Sequence, residues 1–273
     1  MFAFIILFQC LVTGTSQVSL SYALEDALKS SYRIIGTKSG KHITGTGFLV
    51  ERPSIAGKPR RTVLVTAAHV LDEITENKAR LVLRVSDKDF DGATVRKELP
   101  FTIRSDLRKY YFKHSELDIA AIAVSPPPGN FLPFIPLDQV LDGSPSSKRL
   151  VRLGREIWVA SYPIGFEGNS QGHAIMRRGT IASIPSILFE TKKPGRFIPA
   201  SFLVDITNFG GDSGSPVLLV ENGKPFVCGI TIARLMTPPN EEESGKPVVP
   251  QGPLGISLCL QSTFIRDVIE SVD

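Results

Sequence analysis

Residues 211–220 read GDSGSPVLLV, and the rest of the chain is best read outward from them. A tight turn with glycine at Gly211 and Gly214 runs into the apolar segment Val217–Val220, which has the length and branching of a buried strand. Ser213 sits between the glycines. A nucleophilic serine needs an exposed hydroxyl and backbone N–H groups nearby to hold an oxyanion. Glycine lets the main chain turn sharply and come close to a substrate carbonyl. The N–H groups of Gly211 and Ser213 are the candidates for that hole. A plain Gly/Ser turn between two strands is the competing reading, and the string alone does not separate the two.

Short apolar segments alternate with Gly, Pro, Asn and Asp along the chain, the pattern of an all-β sandwich or barrel. The candidate strands are 32–36, 47–50, 62–66, 80–85, 119–124, 156–160, 179–184, 202–206, 216–220, 226–232 and 255–260. Phe264, Ile265, Val268 and Ile269 recur at helical spacing, so Ser262–Ser271 reads as a short C-terminal helix capped by Ser262. Residues 125–149 hold six prolines. Proline fixes φ and removes a ladder donor, so this stretch is a linker between two β-rich halves, 24–124 and 150–273. A second Pro-rich stretch, 237–253, carries Glu241, Glu242 and Glu243. It reads as a solvated loop, or as a rim beside a cleft.

The 273 residues carry 31 basic and 27 acidic groups, a net charge of +4. No basic block concentrates that excess, so nucleic acid is not an expected partner. The first residues, MFAFIILFQCLV, are too short to span a bilayer and resemble the apolar core of a secretory signal. Ser21 and Ala23 suit signal peptidase, which gives a signal peptide over 1–23, a secreted or periplasmic protein and no stable membrane span after cleavage. The basic residues that normally precede the apolar run are missing. Cys10 would leave with the signal. Cys228 and Cys259 would remain, and free buried thiols are expected over a bridge. No Cys/His cluster supports a metal, and no cofactor is implied.

Ser213 needs a base and the base a carboxylate. Of four histidines, His69 follows the apolar run Val63–Val65 and lies among small residues that permit close packing. Asp118 opens Ile119–Val124, a strand too apolar to be exposed. A carboxylate there is costly unless hydrogen-bonded, and it would fix the imidazole tautomer.

TAAHV (66–70), LDIAAIAV (117–124) and GDSGSPV (211–217), in that order, resemble the three signature segments of trypsin-like serine peptidases. GTGFLV (45–50), GREIWVASYPIGF (154–166), RRGTIASI (177–184), CGITIA (228–233) and GISLCL (255–260) extend the resemblance over roughly residues 30–270. VDITNFGGDSGSP places Asp205 eight residues before Ser213, which is similar to the bacterial single-domain relatives of the high-temperature-requirement proteases. The resemblance implies two six-stranded antiparallel β-barrels and an endopeptidase acting on polypeptides through an acyl-enzyme, with His69, Asp118 and Ser213 as triad. A catalytically quiet binding protein of the same fold is the alternative. An α/β-hydrolase is excluded by chain order, since no histidine follows Ser213.

By the same resemblance Thr207 lies at the base of the specificity pocket. Ile232, Ala233 and Arg234 form the substrate-pairing strand, and Gly255 lines the wall. Thr207 is no acid, so the expected side chain N-terminal to the cut bond (P1) is small or aliphatic. Tyr32–Gly36, YRIIG, superficially resembles a zymogen cleavage site but fits better as the first barrel strand. Whether Asp212 finds the cationic partner that a new N-terminus supplies in digestive trypsins is left open.

Overall fold

The computed structural model describes residues 20–54, 59–86, 94–126, 131–185, 187–190, 197–236 and 252–272. The apolar N-terminal run, the acidic triplet Glu241–Glu243 and Cys10 lie outside the described residues. The expected cleavage point before Leu24 falls within a helix, α1, over residues 20–29. Among the described residues no helix is long and apolar enough to cross a membrane.

The chain is mostly β. In order come β1 (Ser31–Lys38), β2 (Lys41–Arg52), β3 (Arg61–Thr66), α2 (Ala68–Glu73), β4 (Lys78–Ser86), β5 (Thr94–Thr102), β6 (Phe112–Lys113), β7 (Ala120–Ala123) and β8 (Ile135–Pro136). Then follow α3 (Pro145–Leu150), β9 (Glu156–Ser161), β10 (Ile175–Thr180), β11 (Ile187–Glu190), β12 (Phe197–Val204), β13 (Pro216–Glu221), β14 (Lys224–Met236), β15 (Pro253–Gln261) and α4 (Ser262–Ser271). They form two sheets. The first runs β5-β4-β1-β2-β3-β7-β6 with β8 beside β2, and the second runs β10-β9-β13-β14-β15-β12-β11. All pairings are antiparallel except the short β2–β8 contact. Among the described residues the sheets hold eight and seven strands, against the six each that the resemblance implies. The first sheet gains the two-residue strands β6 and β8, which are register contacts of loops and carry no apolar run to reveal them.

Val63, Leu64 and Val65 of β3 are all fully buried, which explains its unbroken apolar run. β5 (TVRKELPFT) is the opposite case, an edge strand exposed along most of its length, and its charges hide it from hydrophobic pattern reading. The YRIIG segment lies in β1, paired with β2 from Ser31 to Lys38 and with Tyr32 fully buried, so it is a strand and not a cleavage loop.

α4 packs Ile265, Val268 and Ile269 into the main core, to which strands of both sheets contribute. Its N-cap is Gln261, without a side-chain bond, and the expected cap Ser262 is instead a buried first-turn residue. The Pro-rich linker is packed, not loose. Leu132, Ile135, Leu137 and Val140 are buried within it, and Arg266 of α4 donates to the carbonyls of Leu137 and Val140 at 2.9 and 2.8 Å. Cys228 and Cys259 are free and buried in the core of the second sheet. Burial pushes the Cys228 thiol up to about 12.

Candidate active site

β3 ends at Thr66, and α2 starts at once with Ala67 as its N-cap. The helix is pinned by buried Ala68, Val70 and Leu71, which leaves His69 on its half-exposed side. Asp118 precedes β7, anchored by fully buried Leu117 and Ile119 on either side. The two side chains meet: His69 Nδ1–H donates to Asp118 Oδ2 at 2.5 Å, and His69 N–H donates to Asp118 Oδ1 at 2.9 Å. Using both carboxylate oxygens fixes the imidazole orientation and leaves Nε2 as the basic nitrogen.

Burial, the largest single influence on His69, lowers its pKa. The hydrogen bond and charge of Asp118, helped by Glu73, outweigh it, so the imidazole lies above its ordinary 6.5. Burial likewise raises Asp118, but its bonds to His69 prevail and hold the carboxyl below 3.8.

Ser213 arrives from the second sheet. Gly214, at φ 90°, packs directly against the first sheet: a side chain there would strike Thr46 O, Thr66 Oγ1 and, at 2.9 Å, the N of Ala67. Only glycine fits, and Ser213 is thereby set against the corner that carries His69. The backbone around Ser213 is fixed by its carbonyls. Asp212 O accepts from Ser215 N at 3.0 Å, Ser215 Oγ at 2.6 Å and Thr231 Oγ1 at 2.7 Å. Gly210 O accepts from Ile164 N at 2.5 Å. In a trans peptide the next N–H points the opposite way, so the N–H groups of Ser213 and Gly211 are turned from these anchors. Among the described residues neither has an acceptor, and the Ser213 hydroxyl has no partner. Catalytic hydrogen bonds commonly tighten only with substrate present.

Asp212 has a cation. Its carboxylate, fully buried, takes Arg177 Nη2 of β10 at 2.6 Å and the N–H of Phe209 at 2.7 Å. Arg177 also donates to Thr207 O at 2.5 Å and Ser161 Oγ at 3.0 Å. The cationic partner of Asp212 is thus supplied from within the fold by Arg177.

The expected specificity residues gather on one side of this turn. A side chain at Gly255, φ 76°, would lie 3.7 Å from Thr207 Oγ1. Asn208 Nδ2 donates to Ala233 O at 3.3 Å, tying the residue after Thr207 to β14. Ala233 and Arg234 are exposed, whereas Ile232 is buried in the core, so its side chain offers no pocket surface. Sequence reading passed over Thr46 and Arg177. Thr46 N–H donates to Ser213 O at 2.9 Å and its Oγ1–H to Gly211 O at 2.7 Å, locking the first sheet to the Gly211–Ser213 turn. Its signal was a polar residue between two glycines in a buried strand.

A family model of the trypsin-like peptidase domain matches residues 45–230. No curated protein matches the chain. Among solved structures, the active form of the Rv3671c protease from M. tuberculosis aligns with 92% of this chain and 83% of that one, at 18% identity and a TM-score of 0.54. Its inactive serine-to-alanine form covers 92% and 90%, at 17% and 0.53. The HtrA-type protease AlgW with a tripeptide covers 93% of this chain at 16% identity and 0.55, and this chain spans 63% of its length. At such identities these likenesses speak to the fold, which is trypsin-like. With the family model covering most of its length, the chain belongs to the trypsin-like peptidase domain family and is a serine peptidase.

Proposed function

We propose that the protein is an endopeptidase that cleaves polypeptides through an acyl-enzyme, with Ser213 as nucleophile, His69 as general base and Asp118 orienting the imidazole. The observation that carries this is the two-point grip of Asp118 on His69, which directs the Nδ1 proton to the carboxylate and leaves Nε2 as the basic nitrogen. His69 takes the Ser213 proton as Oγ attacks the substrate carbonyl, and the N–H groups of Gly211 and Ser213 receive the oxyanion. His69 then returns the proton to the leaving amine, and water repeats the sequence on the ester. The apolar N-terminal run supports export, to the periplasm or the medium.

For P1 we infer a small or aliphatic side chain. Thr207 offers a hydroxyl and no charge, and Arg177 lies directly behind its carbonyl. A Lys or Arg entering there would lose hydration beside a like charge. Active-site titration with an activated nitrophenyl ester tests the mechanism. A burst of about one nitrophenol per chain is expected, absent from Ser213→Ala. A burst that survives Ser213→Ala would overturn it.

A further inference from the structure

Ile164 has φ 54° and ψ 21°, a left-handed conformation that a β-branched residue rarely adopts. Its side chain is 67% exposed, so packing does not hold it there. Such strain persists only where the surroundings impose it, and it clusters at functional sites. Here the N–H of Ile164 donates to Gly210 O, the contact that fixes the Gly210–Gly211 peptide and so turns Gly211 N–H the opposite way. The turn is tight: Gly165 N–H donates to Tyr162 O and Phe166 N–H to Pro163 O, both at 2.9 Å.

What ties this turn to the rest of the molecule is Glu167. Its carboxylate is only 14% exposed and accepts from Arg33 Nη1 of β1 at 3.1 Å and from Arg96 Nε of β5 at 2.9 and 3.1 Å. Arg33 reaches further. Its Nη2 lies 2.6 Å from where a side chain at Gly165 would project, and its Nε donates to Thr44 Oγ1 at 3.0 Å. The Thr44 methyl in turn lies 3.1 Å from where a side chain at Gly211 would project, with Gly165 N at 3.3 Å on another side. Arg33 therefore grips both walls around Gly211, and Glu167 holds Arg33. Exposed ion pairs count for little, but a carboxylate this enclosed between two guanidiniums, bonded to one through both oxygens, is held in place.

We propose that Glu167 is a positioning residue for the oxyanion hole, acting through Arg33 to hold the Pro163–Phe166 turn that aims Gly211 N–H. Without the Glu167 charge, Arg33 loses its carboxylate partner while Arg96 keeps Glu98, the turn relaxes, and Ile164 N–H leaves the Gly210 carbonyl. The proposal rests on Ser213 being the nucleophile.

The test is the second-order rate of labelling by a fluorophosphonate, whose phosphoryl oxygen must occupy the hole, together with kcat and KM on one peptide substrate. Glu167→Gln is expected to label about 10- to 100-fold more slowly, a fraction of the about 10²- to 10³-fold effect of losing a hole donor outright. KM should change less than about twofold, the split expected when only transition-state binding is lost. Arg96→Gln removes the bonds to both Glu167 oxygens but leaves the Arg33–Glu167 pair in place, so a loss clearly smaller than that of Glu167→Gln is expected. Labelling of Glu167→Gln at the wild-type rate, or an equal loss in Arg96→Gln, would overturn the proposal. If Glu167→Gln does not fold, Arg33→Lys carries the test, since it keeps the charge but loses the bond to Thr44. A slowing of at least about fivefold is then expected, and a wild-type rate overturns the idea. A wild-type protein that fails to label indicts the nucleophile assignment itself, and the proposal falls with it.

Discussion

His69 and Asp118 hang from the first sheet with side chains 36% and 29% exposed, held mainly by each other. Asp212, next to Ser213 on the second sheet, is 1% exposed and held by Arg177 from a distant strand. The first sheet thus presents a nearly self-sufficient hydrogen-bonded His–Asp pair on a short helix and a loop. The second presents a backbone conformation, and that conformation depends on Thr46, Thr231, Ile164 and Arg177, none adjacent to Ser213 in sequence. A dyad of this kind can be damaged chemically while the fold survives. The nucleophile turn can be damaged from far away.

Asp118→Asn attacks the dyad and carries the largest expected effect. An amide can donate to Nδ1, so the wrong tautomer is stabilised and kcat should fall about 10⁴-fold with the fold intact. The same contact governs pH dependence. His69 must be neutral to act as base, and its pKa is raised, so wild-type kcat/KM should be lost as pH falls through a midpoint above 6.5. A midpoint below that value would show that Asp118 does not hold the imidazole in solution.

Arg177→Gln attacks the turn and comes next. It leaves Asp212 buried without its cation, and among the described residues the Asp212 Oδ1 has no hydrogen-bond partner even with Arg177 in place. Breaking a buried pair by removing one member costs about 3–5 kcal/mol. Thermal unfolding should shift downward, and kcat should drop about 10²-fold because the hole is displaced. Adding Asp212→Asn should recover part of the stability. If the single variant keeps full activity, the ion pair does not shape the hole.

P1 preference gives the smallest effect. On peptides differing only at P1, aliphatic residues should exceed Lys and Arg by at least about tenfold in kcat/KM, about 1.4 kcal/mol of transition-state binding. Thr207→Asp should narrow that gap. A native preference for Lys or Arg would remove Thr207 from the pocket base.

Much of this was legible from the chain because it is local. Continuous apolar runs such as Val63–Val65 and Val217–Leu219 mark strands buried on both faces. The glycines flanking Asp212 and Ser213 mark a tight turn, and the order of His69, Asp118 and Ser213 excludes rival hydrolases. β5 was illegible because an edge strand needs no apolar pattern. Thr46, Arg177 and Glu167 were illegible for another reason. Each acts on residues 35 or more positions away, at distances that only pairing of the sheets creates. Ser262 misled because a residue able to cap a helix was already inside it.

The central claim is that Ser213 is the nucleophile, and peptide mapping of the protein after fluorophosphonate treatment tests it most directly. A single adduct on Ser213 is predicted, absent from Ser213→Ala and strongly slowed in His69→Ala. An adduct on another residue, or undiminished labelling of Ser213→Ala, would contradict the account.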